Sequence, residues 1–155
     1  MKLLILSDSH GELEKMRFAI HQEAPNAVFH LGDHDSDAAL LCRQYPQLPI
    51  YYVSGNCDRL FPWSSASRIE ELEGVRILAA HGHQYNVKYG HMNFYMAARE
   101  AGAKLALFGH THEAFCESYE DLWLLNPGSC KGYGASYAVA YISDGQVVRC
   151  EIKYL

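Results

Sequence analysis

The sequence predicts an α/β fold, and three observations carry that expectation. Short apolar runs alternate with segments of helical spacing. Five of the runs end in clusters of Asp, Asn, Gly and His. No repeat, low-complexity tract or linker interrupts the chain, so residues 1–155 are expected to form a single domain.

Lys2–Ser7 is a short apolar run suited to a buried parallel strand. It resembles a signal peptide at first sight, but it is too short, lacks a small-residue cleavage site and runs straight into polar motif residues. Gly11–Glu23 places Leu13, Met16, Phe18 and Ile20 at roughly helical spacing. After Pro25 and Asn26, Ala27–Leu31 predicts a second strand, Asp37–Gln44 a short helix and Ile50–Ser54 a third strand. Phe61–Ser67 is expected to be loop. Arg68–Leu72 and Val75–Ala80 predict two strands hinged at Gly74. Met92–Ala101 predicts a helix capped by Gly102, and Lys104–Phe108 another strand. Ala114–Tyr119, Leu122–Leu125, Ser136–Ile142 and Gln146–Lys153 complete the strands, the last pair joined by Asp144-Gly145, a strong hairpin signal.

Composition narrows the function classes. The net charge is −5 and no Lys/Arg cluster is present, so extended nucleic-acid binding is not expected. No apolar run approaches the roughly 18 residues that span a bilayer, so no membrane association is expected. Cys42, Cys57, Cys116, Cys130 and Cys150 are odd in number, irregular in spacing and form no C-x-x-C pair. That pattern fits a reducing cytoplasm better than a disulfide scaffold.

The chemistry sits at the strand ends. The first run ends in Ser7-Asp8-Ser9-His10, the second in Gly32-Asp33-His34-Asp35 and the third in Gly55-Asn56-Cys57-Asp58. Two later runs end in His81-Gly82-His83 and Gly109-His110-Thr111-His112. In a parallel sheet such ends share one edge, where ligands bind. Asp, Asn and His are oxygen and nitrogen donors suited to Mn²⁺, Fe, Zn²⁺ or Ni²⁺. Asp8 and His10, His81 and His83, and His110 and His112 are each two apart, a spacing that aims both side chains to one face of an extended segment. Each motif alone is commonly a turn, a cap or a solvated loop; their occurrence in order, each after a strand, points to one shared site.

Taken together, Asp8-Ser9-His10, Gly32-Asp33, Gly55-Asn56, His81-Gly82-His83 and Gly109-His110-Thr111-His112 resemble the calcineurin-like metallophosphoesterases. The short length, Gly55-Asn56-Cys57-Asp58 and Asn126-Pro127-Gly128-Ser129 resemble its small bacterial and archaeal phosphodiesterase branch. The resemblance covers essentially the whole chain. It implies a four-layer α/β/β/α sandwich and a site for two divalent transition metal ions, Mn²⁺ first, with Ni²⁺, Fe or Zn²⁺ as alternatives. Asp8, His10 and His112 would bind one ion, Asn56, His81 and His110 the other, and Asp33 would bridge them. Asp33 and Asn56 would be catalytic. The implied reaction is hydrolysis of a small phosphodiester by a hydroxide held between the ions.

One departure bears on the leaving group. Larger relatives carry a histidine where Cys57 stands. A thiol of pKa about 8.5 is a weaker acid at neutral pH than an imidazolium, which implies a preference for good leaving groups; a small buried filler is the alternative reading of Cys57. His83 and Asp58 are read as support for a ligand or contacts to substrate, with helix capping the other reading of Asp58. His34, Asp35 and Asp37 suggest a cap or solvated loop, His91 a surface residue, and His21 and His30 structural roles. Asn126–Ser129 is either a loop under the site or a plain turn. Tyr85–Tyr95 is either aromatic packing or part of a pocket or an oligomer contact.

Three rivals remain at this stage. The first is a non-catalytic scaffold of the same fold, like the retromer-coat subunit. The second is a phosphomonoesterase, including the protein phosphatases. The third is a nuclease of the superfamily, for which this chain lacks both extra length and a basic stripe. No interface is legible, and the statistics of soluble oligomers favour a homodimer.

Overall fold

A computed structural model describes residues 1–59 and 65–155. Ten strands form two five-stranded sheets. The first has the order β10-β9-β1-β2-β3, with β1 at Lys2–Leu6, β2 at Ala27–His30, β3 at Ile50–Tyr52, β9 at Ser136–Ser143 and β10 at Gln146–Tyr154. The second has the order β4-β5-β6-β8-β7, with β4 at Ser67–Leu72, β5 at Val75–Ala80, β6 at Leu105–Leu107, β7 at Ala114–Tyr119 and β8 at Leu122–Pro127. In each sheet three strands run parallel: β1, β2 and β3 in one, β5, β6 and β8 in the other.

Strict alternation along the strands builds the layers. Leu3 and Ile5 face Ile77, Leu105 and Leu107 in the core between the sheets. Leu4 and Leu6 point the other way, onto Met16, Ile20 and Leu41 of helices α1 (Leu13–Glu23) and α2 (Asp35–Gln44). Ala106 and Phe108 pack outward against Phe94 and Ala98 of helix α3 (Met92–Glu100). Three apolar interfaces between four layers give the expected α/β/β/α sandwich.

Boundaries shift where local chemistry overrides periodicity. Helix α1 starts at Leu13, not Gly11, because Gly11 sits at φ +89° with its N–H bound to Asp37 Oδ2 at 2.8 Å. Helix α2 starts two residues earlier than expected, at Asp35, because Asp58 caps its first N–H groups. The expected cap on α3 is a complete Schellman motif: Ala103 N–H donates to Ala98 O (2.9 Å) and Gly102 N–H to Arg99 O (3.0 Å). Two 3-10 turns, His83–Tyr85 and Val87–Tyr89, occupy the segment before α3. Of the expected loop 61–67, residues 61–64 lie outside the described residues, and Ser67 opens β4. Among the described residues no helix is long and apolar enough to cross a membrane.

Candidate metal centre

All five clusters meet where the C-terminal ends of β1, β2, β3, β5 and β6 converge. The loops come together because three positions carry no side chain. A Cβ on Gly55 would stand 2.2 Å from Asp33 Oδ1, and one on Gly32 would stand 2.5 Å from the Gly55 nitrogen and 2.9 Å from His81 Nδ1. A Cβ on Gly109 would stand 2.0 Å from Ser7 Oγ and 2.9 Å from Asp8 Oδ2. Gly32 and Gly55 thus let two loops of the first sheet interlock, and Gly109 lets the second sheet's loop close on Asp8.

The donors fall into two groups. In one, ligand atoms of Asp8, His10, Asp33 and His112 all lie within 4.8 Å of one another. Asp8 Oδ1 is buried without a hydrogen-bond partner, 3.1 Å from His112 Nε2. In the other, His81 Nε2 lies 2.9 Å from Asn56 Oδ1 and 3.2 Å from His110 Nδ1. His81 Nδ1 is 2.6 Å from the carbonyl of Leu31, which can only accept, so Nδ1 carries the proton and Nε2 presents a lone pair. A lone pair facing an amide oxygen suits a cation between them. Asp33 stands between the groups: Oδ1 is 3.5 Å from His81 Nε2 and Oδ2 is 3.8 Å from His10 Nε2. The orphaned Asp8 oxygen and the His81 lone pair each fit one divalent ion.

Electrostatics divides the two carboxylates. Burial raises Asp8 above the ordinary carboxylate value, against the opposing pull of His81, Ser7 and His112. Burial acts on Asp33 too, but the Cys57 N–H (3.0 Å) and the nearby His81 and His10 outweigh it and hold its carboxyl below the usual range. His110 is pushed down to about 4, mainly by burial, so it too offers a neutral ring.

A set of braces holds these residues, several supplied by positions the sequence left as caps or turns. Gly32 N–H donates weakly to His30 Nδ1 (3.4 Å), His30 Nε2–H to Ser9 Oγ (2.9 Å), and Ser9 Oγ–H to Asp37 Oδ2 (2.8 Å). Burial lowers His30 to about 4, which matches its neutral place in that chain. Asp58 accepts from the N–H groups of His34, Asp35 and Gly55 at 2.6, 3.0 and 2.7 Å, so it caps α2 and clamps the Asn56 loop. Asn126 Nδ2 donates to Gly109 O (3.1 Å) and Thr111 Oγ1 (2.9 Å), and Ser129 Oγ donates to the Asp8 carbonyl (2.9 Å). The segment after β8 therefore lies under the site. His83 stands beside it, 5.5 Å ring to ring from His81, lowered by burial and by His81. Cys57 is exposed, so it is no buried filler; its thiol is raised by burial of its surroundings and by Asp33. His34 lies 5.0 Å from the His10 ring, His21 is exposed, and His91 packs on Phe108 and Phe115. Asn126–Ser129 is thus the loop under the site and not a plain turn, whereas Asp37 forms its contacts only through the fold and has no local spacing that reveals them.

Known proteins resemble this chain over most of its length. Residues 1–145 match the model of the calcineurin-like phosphoesterase superfamily domain. A probable metallophosphoesterase of Bacillus subtilis is 34% identical over 135 residues, covering 84% of this chain and 76% of that protein. A phosphodiesterase of Methanocaldococcus jannaschii is 28% identical over 151 residues, covering 86% of each chain. The crystal structure of a Vps29 single mutant from Entamoeba histolytica superposes with a TM-score of 0.76 at 19% identity, covering 100% of this chain and 99% of that one, a likeness of fold. With its two mixed sheets and its strand-end clusters of Asp, Asn and His, the chain belongs to the calcineurin-like phosphoesterase superfamily, among relatives that include small bacterial and archaeal metallophosphoesterases.

Proposed function

We propose that this chain is a two-metal phosphodiesterase of the cytoplasm, acting as one domain on small phosphodiesters. The observation that carries the reading is Asp33, whose two carboxylate oxygens face the two donor groups, 3.5 Å from His81 and 3.8 Å from His10. In this assignment Asp8, His10 and His112 hold one ion, Asn56, His81 and His110 hold the other, and Asp33 bridges. When bound, a pair of divalent ions supplies Lewis acidity, lowering the pKa of a water and neutralising phosphoryl oxygens. Mn²⁺ is the first candidate, because the donors mix carboxylate, amide and imidazole.

The chain's own contribution is positioning. Leu31 O fixes His81 in the tautomer that leaves Nε2 free, and Ser7 Oγ–H holds Asp8 Oδ2 so that Oδ1 stays available. Asn56 turns its Oδ1 to His81 Nε2 and its amide N–H to Cys57 Sγ, so it both binds and orients. In this reading Cys57, exposed beside Asp33, is the donor to the leaving oxygen, and its raised pKa makes it a protonated but weak acid.

A metal-free preparation assayed on bis(p-nitrophenyl) phosphate and p-nitrophenyl phosphate, with Mn²⁺, Ni²⁺ or Zn²⁺ restored, tests the reading. Metal-dependent diester cleavage reduced about a thousandfold by Asp33→Asn is the expected outcome. Strong monoester turnover alone would move the substrate class to phosphomonoesters. Metal binding without turnover would favour the scaffold role of the same fold.

A further inference from the structure

A trough leads away from the cluster on the side of the second sheet. Its nearer hollow, of about 430 Å³, is lined by Val87, Lys88, His91, Thr111, Ala114 and Phe115 among others. Thr111 lies between His110 and His112, so one wall of the hollow is the loop that presents both. A farther hollow of about 500 Å³ shares Gly90, His91 and Phe115 with it and runs on to Tyr95, Tyr119 and Leu124. The divide between the hollows is aromatic: the His91 ring meets Phe115 edge-on at 4.4 Å and lies 4.9 Å from Phe108. Lys88 is exposed, close enough to the cluster to act on His110, and among the described residues is the sole Lys or Arg in the wall of either hollow; Glu113 lines the nearer hollow and Glu117 the farther. The 3-10 turn Val87–Tyr89 and the start of β7 both contribute to the wall of the nearer hollow, and neither contributes a candidate metal ligand.

These features describe the seat of an uncharged flat ring tethered to an anion. Phe115 and His91 contribute aromatic surface to the walls of both hollows, and burial lowers His91 below the usual imidazole value. A hollow of this volume is in the range of roughly 300–1,000 Å³ that takes a small organic group. Resting on the two-metal reading, we propose that the trough binds one alcohol arm of the phosphodiester, that this arm carries a flat aromatic ring system of the nucleobase kind, and that Lys88 contacts the oxygens between ring and phosphorus. The diester therefore has an aromatic or nucleoside arm rather than a glycerol or sugar arm alone.

Calorimetric titration of the Mn²⁺-loaded protein with AMP, ribose 5-phosphate and inorganic phosphate tests this without relying on turnover. AMP should bind about tenfold or more tighter than ribose 5-phosphate, the value of one stacked base. Ala114→Trp, which fills the nearer hollow from an exposed position, should bring that ratio to about one, and Phe115→Leu should lower it about threefold while keeping an apolar side chain. Lys88→Gln should weaken AMP and ribose 5-phosphate alike, by about threefold, and leave their ratio intact. A ratio near one in the wild-type protein, or one that survives both Ala114→Trp and Phe115→Leu, overturns the proposal. Loss of diester turnover with the adenine preference intact would sink the catalytic reading and not this one; turnover with no adenine preference would do the reverse.

Discussion

The two ends of strand β1 bury carboxylates in opposite ways. At its start, Glu23 is buried with Lys2 Nζ at 2.6 Å, Lys153 Nζ at 2.9 and 3.1 Å and the Tyr137 hydroxyl at 2.7 Å. Burial alone would raise Glu23, but these partners bring it to about 2. At the strand's other end Asp8 and Asp33 are buried beside histidines, and among the described residues neither forms an ion pair with Lys or Arg. One carboxylate is compensated by cations of its own chain. The other two have only histidines and N–H or O–H donors beside them, and on the proposed assignment that difference separates a structural carboxylate from a site.

The largest expected effect comes from joining the two sheets wrongly. Gly109→Ala should cost about 3 kcal/mol or more in chemical denaturation and abolish high-affinity metal binding, because its Cβ would collide with Ser7 Oγ and crowd Asp8. A variant that keeps both would show that the loops do not lock each other.

Glu23→Gln tests the self-compensated end. It should cost about 2 kcal/mol at pH 7 and leave metal affinity unchanged. Because folding depresses this carboxyl from 4.5 to about 2, its stabilisation is complete above pH 4.5 and fades as the pH falls toward 2. Denaturation of wild type and variant at pH 7 and pH 3 should therefore show a shrinking gap; a gap that widens at pH 3 would refute the pairing.

Asp8→Asn sharpens the contrast, since it should act with opposite signs in the two states. Folding raises this carboxyl, so above its folded pKa the charge destabilises the metal-free protein, and the amide should raise metal-free stability by about 1 kcal/mol. In the metal-loaded protein the same change should lower the melting temperature. Equal shifts in both states would mean that the Asp8 charge is compensated without ions.

The smallest effect concerns Cys57. Cys57→His should raise turnover of alkyl diesters by about threefold and of p-nitrophenyl diesters by less, because only poor leaving groups need a stronger acid. Equal gains on both would place the side chain outside the proton path.

The strands were legible because each apolar run breaks abruptly at a polar residue: Leu6 to Ser7-Asp8, Ala80 to His81, Phe108 to Gly109-His110. The convergence of the alternate pairs was legible too, but its cause was not. Asp8, His10, His110 and His112 do not lie in extended backbone; their φ values are 51°, 45°, 68° and 61°, in the left-handed region. Asp33 shares it at 54°. What holds these residues there is not local. Gly11 is tied to Asp37 from 26 residues away, and the Asp8 carbonyl to Ser129 from 121 residues away. Periodicity sees only neighbours, so the brace Asp37 and the trough wall formed at Val87–Tyr89 had no signal of their own, whereas Asn126 was marked by its place in Asn126-Pro127-Gly128-Ser129.

The glycine-to-ligand contacts have a consequence for how this protein matures. On the proposed assignment, one ion draws on Asp8 and His10 from the first sheet and His112 from the second, and the other draws on Asn56 from the first and His81 and His110 from the second. A chain emerging from synthesis completes the first three loops before residues 109–112 exist, and in that interval neither coordination set is complete. On that assignment the complete set of donors for either ion exists only once the two sheets have closed face to face.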